Sequence, residues 1–231
     1  MKDTPPVTPQ ILTASRREFL GKIGLAATLF TVRGSFAEEL SRKTAHVEEG
    51  PFYPPRLPLD TDNDLIIVND SITPAIGEIT HLSGRLLDSK GDPIRNATVE
   101  IWSVDSSGVY LAERADHAKF DANFQGFGRF LTGSTGEYYF RTLKPVRYEG
   151  RQAPHIHFKL KMKSREAWTT QLFIKGHPGN ARDGVYREIG DEAARSSVTV
   201  DFEPIKGSPV GEVAARFDII LGVTLEGEFH K

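Results

Sequence analysis

Residues 155 to 162, His-Ile-His-Phe-Lys-Leu-Lys-Met, carry the clearest chemical pattern in the chain. Successive side chains of a strand alternate between faces, so Ile156, Phe158, Leu160 and Met162 share one side and both imidazoles the other. Two imidazoles one residue apart on a strand project side by side and can reach one metal ion. Taken alone the pair is weak evidence for a metal and favours a plainer interpretation, two packed or solvated histidines, because histidine is intermediate in burial. Two tyrosines stand nearby in sequence. Tyr148 lies seven residues before His155, with Pro145 and Gly150 bending the chain back toward the histidine strand, and Tyr110 follows the Ser107-Gly108 turn. Either one alone reads as an aromatic with a polar tip on a sheet face.

These side chains need a rigid frame, and the sequence points to strands. From Ile79 onward short apolar stretches alternate with turn chemistry, at Ser89-Lys90-Gly91-Asp92-Pro93, Asp105-Ser106-Ser107-Gly108 and Gly133-Ser134-Thr135-Gly136. Ala97 to Val104 alternates, with Val99, Ile101 and Ser103 on one side and Thr98, Glu100 and Trp102 on the other. Tyr138-Tyr139-Phe140 begins a further strand. This spacing predicts an all-β fold, an antiparallel β-sandwich, over residues 76–231. Residues 38–75 are proline-rich around Glu49-Gly50-Pro51-Phe52-Tyr53-Pro54-Pro55 and predict an irregular extended arm lying over the domain. Residues 182–195 have room for a short helix, which Gly184 and Gly190 weaken.

The 231 residues are enough for one well-filled core. A formal charge of -2 and a pI near 6.4 provide no basic field for a nucleic acid. Zero cysteines exclude disulfides, thiolate metal sites and a cysteine nucleophile, so nitrogen and oxygen must hold any metal. At the N-terminus, Ser15-Arg16-Arg17-Glu18-Phe19-Leu20 precedes a mainly apolar run from Ile23 to Val32 and then Ser35-Phe36-Ala37, a tripartite signal peptide over residues 1–37. The run is too short for a membrane span of about 20 residues, which argues against a stable anchor. The paired arginines followed by Phe-Leu resemble the twin-arginine (Tat) export motif, whose machinery carries folded proteins, so the expected location is periplasmic or secreted. Cleavage after Ala37 leaves 24 basic and 29 acidic residues, a charge of -5.

Several segments occur together in a recognisable order: Val99-Glu100-Ile101-Trp102, Gly108-Val109-Tyr110, Asn123-Phe124-Gln125-Gly126-Phe127-Gly128-Arg129, Gly136 to Pro145, and Pro154-His155-Ile156-His157-Phe158. This set, with Gly50-Pro51-Phe52-Tyr53 in the arm, resembles the intradiol ring-cleavage dioxygenases, the family of catechol 1,2-dioxygenase and protocatechuate 3,4-dioxygenase. The resemblance implies one Fe(III) per chain, held by Tyr110, Tyr148, His155 and His157. A phenol with a pKa near 10 needs a hard, strongly Lewis-acidic ion to hold it as phenolate, a demand Fe(III) meets better than Zn(II) or Mg(II). Arg151 resembles the family arginine that steadies charge on the cleaving ring, and Gln171 the glutamine beside the metal. Two departures are visible. Arg151 stands four residues before the first histidine rather than three, and Gly150 takes the place, two after the second ligand tyrosine, of a usual aromatic.

The implied reaction takes a small aromatic diol and O2. Tyr110 leaves the metal as the diol binds, and the ring opens between its hydroxylated carbons to a cis,cis-muconate-type diacid. A second copy of the chain is the candidate oligomeric partner. Two rival readings stand beside this one. The run at 91–101, Gly-Asp-Pro-Ile-Arg-Asn-Ala-Thr-Val-Glu-Ile, also looks similar to non-catalytic binding modules of the transthyretin or carboxypeptidase-regulatory type, which lack the Tyr and His set. A zinc hydrolase using the histidine pair would need a partner that the sequence does not supply, since neither an HExxH helix nor a Gly-X-Ser-X-Gly elbow is present. His46, His81, His117, His177 and His230 have no partner at ligand spacing and are expected to be ordinary surface or loop residues.

Overall fold

The structure, a computed structural model, describes residues 43–222 except positions 70 and 164. The signal-peptide expectation for residues 1–37 lies outside the described residues. Among the described residues ten strands form two five-stranded sheets. In the first sheet, β1 (Ile79–Leu87) is the hub. It pairs antiparallel with β4 (Glu137–Leu143) and parallel with β9 (Val213–Arg216) and β10 (Ile219–Ile220), while β8 (Phe202–Pro204) runs antiparallel to β9. The second has the order β3-β2-β5-β6-β7, built from β3 (Phe127–Leu131), β2 (Thr98–Trp102), β5 (His155–Met162), β6 (Arg165–Ile174) and β7 (Thr199–Val200). The expected sandwich is present, and the long pairings that carry the site, β2 with β5 and β5 with β6, are antiparallel. Parallel pairing enters only with the short strands β7, β9 and β10 among the described residues.

The period-2 patterns hold on the inner faces. Val99 and Ile101 of β2, Ile156, Phe158, Leu160 and Met162 of β5, and Leu82 and Leu86 of β1 meet Phe140, Leu172 and Phe217 in one buried cluster. Each fully buried side chain of this size contributes about 1.5–3 kcal/mol, and truncating Phe158 to Ala is expected to cost about 3–5 kcal/mol.

The outer face of the second sheet departs from the usual solvated pattern of a sandwich. Glu100 and Trp102 of β2 are 1% exposed, and His155 and His157 of β5 are 2% exposed. The cover is the arm. Its backbone is stitched to both sheets, from Thr44 to Ile220, Val47 to Thr169 and Leu65 to Arg141, and Leu65 and Ile66 reach the core itself. The region around Gly184 and Gly190 divides into two short helices, α1 (Gly184–Glu188) and α2 (Glu192–Ser196), capped by the carboxylates of Asp183 and Asp191. Gly190 lies in the break between them.

Candidate metal centre

Strand β5 presents His155 and His157 side by side on its outer face, their Nε2 atoms 3.2 Å apart. Tyr110 arrives from the turn after β2. Gly108 there has φ +83°, and a Cβ on it would meet the Cβ of Tyr148 at 3.4 Å, so glycine lets the two tyrosine loops approach. The Tyr110 hydroxyl lies 3.0 Å from His157 Nε2 and 3.3 Å from His155 Nε2. Tyr148 completes the group. Its ring centroid is 5.1 Å from that of Tyr110 and 5.8 Å from that of His155, so its phenol borders the same point. The turn Tyr148-Glu149-Gly150-Arg151, closed by Arg151 N–H donating to Tyr148 O at 3.1 Å, returns the chain toward β5. All four residues that the resemblance marks as ligands therefore meet at one place.

The donor set fits a hard cation. Ala153 O can only accept, so its 2.7 Å contact with His155 Nδ1 puts that ring's proton on Nδ1 and leaves Nε2 as a lone pair facing the cluster. Donor atoms 3.0 to 3.3 Å apart have the spacing of neighbours in a coordination sphere with bonds of about 2 Å. Burial lowers the pKa of His155 to about 3, with the Arg151 charge adding to the effect. Burial, the neighbouring imidazole and Arg151 push His157 well below 6.5. Both rings are thus neutral at ordinary pH. Burial also raises Tyr110 well above 10 and raises Tyr148 despite nearby Arg151. The protein alone therefore keeps the phenols protonated, and a strongly Lewis-acidic ion is what would make them phenolates. Among the described residues no group of three or more His, Asp and Glu side chains gathers at metal spacing, so the tyrosines are the oxygen donors available to the imidazoles.

Arg151 and Gln171, the other expected site residues, are joined to each other. Arg151 Nε donates to both oxygens of Asp183 at 3.1 and 2.9 Å, and its Nη2 donates to Gln171 Oε1 at 3.0 Å. Gln171, opposite His157 in the β5–β6 register, is fully buried and donates to Glu48 O of the arm. Asp183 also accepts from the amides of Gln152, Ala153 and Tyr186. Its pKa is lowered: burial acts upward, but the Arg151 hydrogen bond and these amides outweigh it.

Sequence reasoning did not single out Asp183, Trp102 or Phe52 as site residues. Trp102 stacks on His157 with centroids 4.7 Å apart and planes 8° off parallel, and Phe52 stacks on Tyr110 at 4.5 Å and 13°. The arm motif was a signal for Phe52, and a capping aspartate ahead of a weak helix was one for Asp183. A cleft of about 250 Å³ opens onto the cluster between Pro51, Phe52, Tyr148, Arg151, His157 and Val185. A larger hollow of about 640 Å³ beside His177, Asn180 and Arg187 lacks a convergent ligand set and is not the reaction site. His81 sits on β1 rather than in a loop, bonded to Tyr139 and Glu212.

Residues 48–223 match a protein-family model described as Dioxygenase. The chain is 35% identical over 156 residues to the protocatechuate 3,4-dioxygenase beta chain of Burkholderia cepacia, covering 63% of this chain and 65% of that one. It is 26% identical over 213 residues to catechol 1,2-dioxygenase of Candida albicans, covering 84% and 66%. The chain belongs to the intradiol dioxygenase family. As an intradiol dioxygenase family member it spans just under two thirds of the length of these two relatives. Among solved structures, the dioxygenase domain of a dioxygenase and carbohydrate-binding protein fusion from Streptomyces sp. SirexAA-E superimposes with a TM-score of 0.60 at 26% identity, covering 79% of this chain and 99% of that one. An intradiol ring-cleavage dioxygenase from Tetranychus urticae, at 21% identity and a TM-score of 0.62, shares the fold, with 81% and 98% covered.

Proposed function

We propose that this protein is a non-haem Fe(III) intradiol dioxygenase, with one iron per chain held by Tyr110, Tyr148, His155 and His157. The observation that carries the proposal is the convergence of two neutral imidazoles and two phenols on one buried point. When bound, ferric iron supplies Lewis acidity that holds phenolates and a chelated diol and prepares the ring for O2. The substrate is a catechol-type diol, and the product is the ring-opened cis,cis-muconate-type diacid that contains both atoms of O2.

The chain's residues have separable tasks. Tyr110 Oη, one of the oxygens that would hold the iron, would accept one of the two protons that the diol loses, and the other would leave with water. Tyr148, with His155 and His157, keeps its place. Phe52, stacked on Tyr110, and Trp102, stacked on His157, hold the rings in plane and keep water from the ligand atoms. Arg151, oriented by Asp183 and Gln171, offers a permanently protonated group to negative charge developing on the ring without joining the proton traffic.

Metal analysis and O2 consumption with catechol, protocatechuate and hydroxyquinol test the proposal. About one iron per chain with O2 uptake supports it. Zinc with hydrolase activity, or a metal-free binding protein, overturns it. Export through the Tat machinery to a periplasmic or secreted location is part of the same proposal and rests on Arg16-Arg17 and the apolar run after them. Replacing both arginines with lysine should leave the protein in the cytoplasm.

A further inference from the structure

The charge at the cleft is lopsided. Arg151 is the one cation among its lining residues, and it is already engaged. Its Nε lies on the fully buried carboxylate of Asp183, its Nη2 on Gln171, and its side chain is 12% exposed. Two carboxylates, Glu48 and Glu149, line the same cleft from exposed positions, and neither forms an ion pair among the described residues. Glu49, next along the arm, is matched by Lys159 at 2.6 Å. The remaining walls are apolar, from Pro51, Phe52 and Val185. At Gly150 the mouth is open, because a Cβ there would meet nothing within 4 Å.

We propose that this cleft selects catechols whose ring substituent is uncharged and discriminates against those bearing a carboxylate, with Glu48 and Glu149 as the specificity-determining residues. The inference rests on the dioxygenase proposal for the identity of the ring, but its physical basis is separate. A carboxylate substituent is recognised by an ammonium or by a guanidinium with a free fork, whereas Arg151 already gives its Nε to Asp183 and its Nη2 to Gln171. Such a substituent would enter a mouth that carries unpaired negative charge, and like charges discriminate by repulsion. An uncharged substituent meets apolar walls and the space beside Gly150.

The experiment compares 4-ethylcatechol with 3,4-dihydroxyphenylacetate, whose methylene insulates the ring from its carboxylate. Steady-state O2 uptake and anaerobic equilibrium binding are measured on the iron-loaded full protein at low and high ionic strength. Two solvated carboxylates, each worth about a twofold effect at low salt, give an expected preference of about fourfold for the uncharged ligand, shrinking as salt is added. The double variant Glu48→Gln with Glu149→Gln should narrow the ratio about fourfold, to near unity. Equal or better binding of the carboxylate, or a ratio indifferent to both salt and substitution, overturns the proposal. If neither compound consumes O2 while binding keeps the predicted order, the dioxygenase reading fails and the charge selection stands.

Discussion

Beneath the arm, the outer face of β2 and β5 has two polar ends that solve burial differently. At one, Glu100 is 1% exposed and matched within the protein: Lys161 and Arg129 donate to it at 3.0 and 3.1 Å, and the Tyr53 hydroxyl does so at 2.9 Å. At the other, in register on the same strands, Trp102 and His157 adjoin a cluster of two neutral imidazoles and two phenols, with Tyr110 Oη and the two Nε2 atoms within 3.0 to 3.3 Å of one another. The first end is complete as folded, as buried charges must be. The second holds no counter-charge among the described residues, and under the proposed function a cation completes it. Burial alone therefore does not mark a functional site; convergence of donors lacking a counter-charge does.

Four measurements would break or sharpen that contrast. The largest effect belongs to the cation-requiring end, where Tyr148→Phe or His157→Ala should lower O2 uptake with catechol by about a thousandfold, roughly 4 kcal/mol in barrier. Tyr148→Phe should also weaken and shift the tyrosinate-to-iron colour, leaving the part due to Tyr110. If activity and colour are unchanged, Tyr148 is no ligand. At the self-matched end, Glu100→Ala should destabilise the fold by about 3 kcal/mol, toward the low end for broken buried pairs because Lys161 and Arg129 are 42% and 38% exposed. Denaturant midpoints measure this, and an unchanged midpoint with lost iron would reverse the roles of the two ends. Asp183→Asn keeps the shape but removes the charge facing Arg151, and should cost about 10–100-fold in activity, as partners one layer behind a metal site do. Retained activity would mean that Arg151 needs no anchor.

The smallest effect is on pH. Unfolded histidines take up protons below about pH 6.5, whereas native His155 stays neutral down to about 3 and His157 also resists protonation. The unfolded state then binds more protons in that window, so metal-free protein loses stability as pH falls from 6.5 toward 3. Melting temperatures of metal-stripped protein at pH 7.5 and 5.5 should differ in that direction, and His155→Gln should reduce the difference. A pH-independent gap between parent and variant would show that these imidazoles are not held neutral by burial.

Much of this was legible in the chain itself. Period-2 alternation around Ile156, Phe158, Val99 and Ile101 encodes which face enters the core, because a strand's side chains must alternate. Gly190 and the two aspartates explain the broken helical segment, because capping and backbone entropy are local. The histidine pair announced a shared face for the same reason.

Other features had no local cause. That the polar face of β2 and β5 is dry depends on where the arm lies, since Tyr53 and Glu100 are 47 positions apart in the chain. That Arg151 is neutralised by Asp183 depends on α1 packing beside the histidine loop, across 32 positions. Alternation and turn residues in the sequence alone determined the sandwich and the shared face of the two histidines, because those follow from neighbours along the backbone, while the candidate ligand set came from the family resemblance. Tertiary structure decided the burial that makes the imidazoles neutral, the phenols reluctant to ionise and the cleft negative, because desolvation and Coulomb interactions depend on distance through space.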